Sequence, residues 1–155
     1  MTGKIDARLK ELGITLPEAP MPVANYVPSV RSGNLLFVSG QVPMEGGKPQ
    51  FIGKVGREFK IEDGQKAARL CALNVIAQVR AALGGDLDKV KRCVRVGGFV
   101  NCTPEFGDQP QVINGASDVF VQIFGDAGKH ARAAVGVSAL PRGVAAEVEA
   151  VFEVA

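Results

Sequence analysis

In this 155-residue sequence, chemistry is first suggested by an arginine whose neighbours are too small to crowd it. The stretch reads His130-Ala131-Arg132-Ala133-Ala134-Val135-Gly136-Val137-Ser138, and beyond Leu140-Pro141-Arg142-Gly143 comes Ala146-Glu147-Val148-Glu149. A guanidinium presents a planar fork that grips a carboxylate through two hydrogen bonds. Arg132 therefore suggests a small ligand bearing a carboxylate. The pattern leaves a second reading open, in which Arg132 caps a strand or pairs with an acidic residue where subunits meet. Glu147, taken alone, reads as a solvated strand residue.

Other chemistry is scarce. The single histidine, His130, rules out a multi-histidine metal site and leaves a Ser-His-Asp triad with one candidate base. Cys71, Cys93 and Cys102 are odd in number and lack paired spacing, which argues against a disulfide framework and against zinc. Cys71 falls in a helical pattern and Cys93 in a strand pattern, as buried small hydrophobes do. Gly84-Gly85 and Gly97-Gly98 lack the spacing of a phosphate loop. No metal site is expected.

The composition, 46% hydrophobic and 22% charged, is that of a globular protein, and the length suits one domain over 1–155. A net charge of +2, scattered Lys and Arg, one Tyr and no Trp argue against a nucleic-acid partner. No apolar run is long enough to span a bilayer, and the first residues lack the apolar core of a signal peptide. Neither nucleic acid nor membrane is expected as a partner, and the cytoplasm is the expected location.

The elements that must position Arg132 follow from periodicity. A short amphipathic helix is read over 5–12, ended by Gly13. Pro17, Pro20, Pro22 and Pro28 then keep the chain extended. Strands are read over 26–30 and 35–39, joined by the turn Arg31-Ser32-Gly33-Asn34, with a further short strand at Phe51-Ile52. Ala67, Leu70, Cys71, Val75, Val79 and Leu83 recur at helical spacing and define a helix over 61–83. A strand over 94–102 contains Gly97-Gly98, which marks a bulge or a close backbone approach. A second helix over 111–124 carries Val112, Ala116, Val119, Phe120 and Ile123 on its core stripe and ends at Gly125. Two C-terminal strands close the pattern, so the expected class is α+β, a sheet covered on one face by two helices.

Alternation places Arg132, Ala134, Gly136 and Ser138 on one strand face, with Ala133, Val135, Val137 and Ala139 on the other, core-like face. In the last strand Ala146, Val148, Ala150, Phe152 and Val154 face the core, opposite Glu147, Glu149, Val151 and Glu153. A hairpin about Pro141-Gly143 would set Glu147 opposite Val137 and leave it roughly 16 Å along the strand from Arg132. The two are then not a cross-strand pair, and each lines a cleft that a neighbouring subunit completes.

Tyr26-Val27 with Gly33-Asn34-Leu35-Leu36-Phe37-Val38-Ser39-Gly40-Gln41-Val42-Pro43, and Ala131-Arg132-Ala133-Ala134-Val135 with Leu140-Pro141 and Glu147-Val148-Glu149, resemble the RidA (YjgF-type, reactive intermediate deaminase) family from about residue 25 onward. The resemblance implies a chorismate-mutase-like subunit and a homotrimer with ligand clefts between neighbours. It implies hydrolysis of 2-imino and enamine acids to 2-keto acids and ammonia, without cofactor. It assigns the substrate carboxylate to Arg132 and the attacking water to Glu147. It places Tyr26, Ser39, Gly40 and Asn114 in the pocket, together with the carbonyl of Ala134. Residues 1–20 stand apart as a helical and proline-rich extension, the loop 46–60 is long, and His130 occupies a position where proline is common. Two other functions fit the same residues less closely. One is a trimeric module that binds small carboxylates without turnover. The other is an endoribonuclease, which the weak charge disfavours.

Overall fold

The protein is described here from a computed structural model covering residues 3–19 and 25–155. Pro20 and Pro22 lie outside the described residues. Residues Ser29–Ser32 (β1), later than the strand expected over 26–30, and Leu35–Gln41 (β2) form an antiparallel hairpin that turns at Gly33-Asn34, the second half of the expected turn. Met44–Glu45 (β3) and Lys48–Pro49 (β4) make a small hairpin of their own at the start of the long loop. Then follow helix Ile61–Ala82 (α2), strand Val90–Asn101 (β5), helix Gln109–Phe124 (α3), and strands Ala131–Val137 (β6) and Ala146–Val154 (β7). The expected strand at Phe51-Ile52 is a single bridge from Ile52 to Val144.

The main sheet runs β1-β2-β7-β5-β6, antiparallel throughout except that β5 and β6 are parallel. Parallel neighbours need a crossover, and α3 supplies it. Both long helices cover one face of this sheet, as expected for an α+β subunit. On that face α2 presents Ala67, Ala68, Cys71, Ala72, Val75, Ile76 and Val79, all fully buried. These side chains are mostly short, so the helix axis can lie close to the strands. Phe120 of α3 meets Phe152 of β7 edge to face at 5.9 Å. Such a pair adds about 1 kcal/mol beyond its buried area.

Two expectations are corrected. β6 and β7 do not form a hairpin, because β5 lies between them. The connection 138–145 instead rounds the end of β5. There the buried side chain of Asn101 donates to the Val144 carbonyl at 3.1 Å, and the Ala145 N–H donates to Phe51. Arg142 turns the chain with φ +58°. The faces of β6 are also the reverse of the reading in which Val135 belongs to the core. Ala134 pairs in register with Gly98 and packs against the core, whereas Val135 is 45% exposed. The small residues on the Arg132 face make room for α3. Gly98 shows how tight the fit is, since a Cβ there would lie 2.6 Å from Ile113. Gly97-Gly98 is thus a close approach, and the bulges of β5 fall earlier, between Val90 and Arg95. In β7 the predicted alternation holds at every position.

The N-terminal segment is part of the domain. Helix Lys4–Glu11 (α1) begins on Asp88, whose carboxylate accepts the N–H groups of Lys4 and Ile5 at 2.8 Å each. Those bonds hold the carboxyl below the usual aspartate range, the Ile5 contact most of all. Leu9 and Leu16 are buried, and Arg8 donates to the Gln122 carbonyl at the end of α3.

Candidate functional site

Arg132 lies on β6 at the rim of the helix-covered face, beside the first turns of α3. Its Nη1 donates to Asn114 Oδ1 at 2.8 Å and to Ser117 Oγ at 3.1 Å, and its Nη2 donates to the Pro110 carbonyl at 3.4 Å. A guanidinium has five N–H groups. Among the described residues, the Nε–H and one Nη2–H have no acceptor. Nε and Nη2 flank one edge of the guanidinium, the fork that a carboxylate fits. The side chain is therefore aimed from behind and free in front.

Sequence reasoning placed Asn114 here and missed Ser117. The signal was available: residues three apart on a helix share a face, so Asn114 and Ser117 of α3 both reach the same partner on β6. Behind Ser117 stands His130, its Nε2 at 2.9 Å from Ser117 Oγ and its Nδ1 at 2.6 Å from the Gly128 carbonyl. Burial lowers the His130 pKa, the Gly128 carbonyl opposes that shift, and the Arg132 charge adds to it.

Glu147 lies elsewhere. It sits on the uncovered face of β7, in register with Phe99, while Arg132 is in register with Val96. The two positions are two strands and three residues apart, roughly 14 Å between backbones, and on opposite faces. No intrachain pair joins them. Glu147 makes no hydrogen bond or ion pair among the described residues, and its side chain lies over Gly40. A Cβ on Gly40 would stand 3.1 Å from the Glu147 carboxyl carbon. Partial burial raises the Glu147 pKa, and the neighbouring Glu149 adds to the shift.

The remaining predicted residues divide between these two places. Ala134 belongs with Arg132, two residues along β6. Ser39 and Gly40 belong with Glu147, and Ser39 Oγ donates to the Val27 carbonyl at 2.8 Å, tying the Tyr26 segment to β2. Tyr26 itself is 53% exposed. A single copy thus displays two candidate half-sites, a guanidinium with an open edge on one face and a carboxyl with raised pKa on the other. Among the described residues no three His, Cys, Asp or Glu side chains gather as metal ligands, and no helix is long and apolar enough to cross a membrane. All three cysteines are buried and unpaired.

The chain is similar to known proteins along nearly its whole length. Protein TCP17 of Trypanosoma cruzi is 49% identical over 153 residues, covering 98% of this chain and 95% of that protein, so the N-terminal extension is shared. The crystal structure of Atu1372 from Agrobacterium tumefaciens, 52% identical, superposes with a TM-score of 0.92 over 97% of this chain and 92% of that one. E. coli TdcF, solved with bound serine, is 25% identical with a TM-score of 0.63, covering 89% and 94% of the two chains. Residues 6–150 match the family described as "YjgF/chorismate_mutase-like, putative endoribonuclease", and the chain belongs to that family.

Proposed function

We propose that this protein is a hydrolytic deaminase of small 2-imino acids, the tautomers of 2-enamine acids, working in clefts between the subunits of a homotrimer. The observation that carries the reading is the free Nε/Nη2 edge of an Arg132 already fixed by Asn114, Ser117 and Pro110. An arginine used only for packing within its own chain would not need an open fork. The serine bound to TdcF, a small amino acid with a carboxylate, is in keeping with that ligand class.

The chemistry follows from the two half-sites. Arg132 holds the carboxylate and so fixes the adjacent imine carbon. Glu147 of a neighbouring copy takes a proton from water as the oxygen attacks that carbon, and the C=N electron pair moves to nitrogen. The proton then passes to the nitrogen, giving a carbinolamine. Glu147 next takes the hydroxyl proton and returns it to the amino nitrogen as the C=O bond forms and the C–N bond breaks, and ammonia and the 2-keto acid leave. A carboxyl whose pKa is raised toward the working pH suits these transfers. The Ala134 carbonyl accepts a hydrogen bond from the water.

Assembly is part of the proposal because one copy keeps the two half-sites on opposite faces. The uncovered face also exposes Val30 at 54%, Phe37 at 46% and Val135 at 45%, apolar surface of the kind that subunits cover.

The test is a coupled assay in which an amino-acid oxidase or a dehydratase generates imines from a panel of amino acids. Wild type should accelerate keto-acid release, and Arg132→Ala should lower kcat/KM at least 100-fold, the scale of a lost bidentate charged contact. Arg132→Lys should not restore it, because an ammonium lacks the fork. No acceleration by wild type across the panel, with the protein folded and assembled, would overturn the reading.

A further inference from the structure

His130 is the only histidine in the chain and is not called upon in the deaminase reading above. Its surroundings fix its hydrogens. Nδ1 lies 2.6 Å from the Gly128 carbonyl, which can only accept, so Nδ1 carries the hydrogen. In the neutral ring Nε2 is then a bare lone pair, and the contact at 2.9 Å requires Ser117 Oγ to donate to it. The Ser117 hydroxyl has spent its only hydrogen and turns lone pairs toward Arg132 Nη1 at 3.1 Å. Every bond in this series runs one way: Arg132 donates to Ser117, Ser117 to His130, and His130 to Gly128. Phe120 meets the ring edge-on at 5.8 Å and holds its plane.

We infer that His130 is a positioning residue for Arg132, acting through Ser117. With its Nε2 lone pair in place, the serine oxygen can only accept from the arginine, and the guanidinium is held with its Nε/Nη2 edge outward. If the ring were inverted or replaced, the hydroxyl hydrogen would be free to point at Arg132, donor against donor. The inference rests on the reading of Arg132 as a carboxylate grip and adds a second layer to it.

The experiment has two arms, neither of which needs turnover. Nitrogen NMR of the ring should show the Nδ1–H tautomer; an Nε2–H tautomer would overturn the inference outright. Affinity for 2-oxobutyrate, a stable keto acid, is then measured across a variant set. His130→Leu and Ser117→Ala should each weaken binding about tenfold, the scale of one charged hydrogen bond. His130→Gln, which keeps an acceptor near the Nε2 position, and Ser117→Thr, which keeps the hydroxyl, should restore most of it. The double variant should be no weaker than either single one, because both act through the same oxygen. Additive losses, or wild-type affinity in His130→Leu, would overturn the inference. In the imine assay the losses should fall on KM rather than kcat. A wild type that binds 2-oxobutyrate but hydrolyses no imine would overturn the deaminase reading and leave this one standing.

Discussion

The two faces of the sheet solve opposite problems. The covered face is finished within one copy. Its Phe152, Val96, Val100 and Val148 are buried, and Arg132 is fixed there by Asn114, Ser117 and Pro110, with His130 behind Ser117. The uncovered face is unfinished. It carries Phe37 and Val135 in the open, and a carboxyl without a hydrogen-bond partner among the described residues. In the proposed reaction the guanidinium that recognises a shape is built in, whereas the carboxyl that exchanges protons has no hydrogen-bond partner among the described residues, and partial burial, with Glu149 nearby, raises its pKa. On the proposed reading, stability and recognition are concentrated on one side, association and proton transfer on the other.

The contrast can be broken in several ways. The largest effect is on folding. Phe152→Ala, at a fully buried position, should cost about 3–5 kcal/mol in chemical denaturation, whereas Phe37→Ala in isolated subunits should cost well under half of that. Equal losses would erase the difference between the faces. Next comes assembly: Phe37→Asp combined with Val135→Asp should reduce the sedimenting mass to that of one chain while the circular dichroism spectrum stays folded. A pair of aspartates that leaves the mass unchanged would move the interface elsewhere.

A smaller effect concerns pH. Because the fold raises the Glu147 pKa above its unfolded value, the native state holds the extra proton between the two values. The stabilising contribution is present below the unfolded value, about 4.3, and is lost as pH rises through the folded one. Glu147→Gln should therefore denature later than wild type at pH 8, with the gap closing by about pH 4, even as imine hydrolysis is lost. A Gln variant less stable than wild type at pH 8 would show a hidden partner for the carboxylate. Smallest is Gly40→Ala. The new methyl must push the Glu147 side chain aside by a few tenths of an ångström, so activity should fall several-fold with the melting temperature nearly unchanged.

Much of this was legible in the residues. Periodicity gave both long helices, and alternation gave every buried position of β7, because a half-buried strand cannot conceal a period of two. The family resemblance put Arg132, Asn114, Glu147 and Gly40 in one pocket, whereas a single copy sets Arg132 beside Asn114 and, on the other face, Glu147 over Gly40. What failed was strand order. Adjacent strands in sequence read as a hairpin, and nothing local announces that Asn101 captures the Val144 carbonyl and carries the chain past β5. The faces of β6 were misread separately, because Val135 and Val137 look more core-like than Ala134 and Gly136, although Ala134 packs on the core and Val135 is exposed. Ser117 was missed, and His130 was noted only as a lone base and a departure from proline, for a different reason. Their importance lies in the direction of hydrogen bonds, which depends on three segments meeting and on no one of them alone.

The position of β7 has a consequence for how the molecule comes into being. It is the last strand of the sheet in sequence, yet it lies between β2 and β5. Before its nine residues dock, the β1-β2 hairpin and the β5-α3-β6 unit are separate pieces, each with a bare pairing edge. Both edges wait for a partner drawn from the far end of the chain, a slow search that leaves them open to other molecules. Folding is then a late keystone event, and a chain shortened by those residues would lose the joint between its two halves.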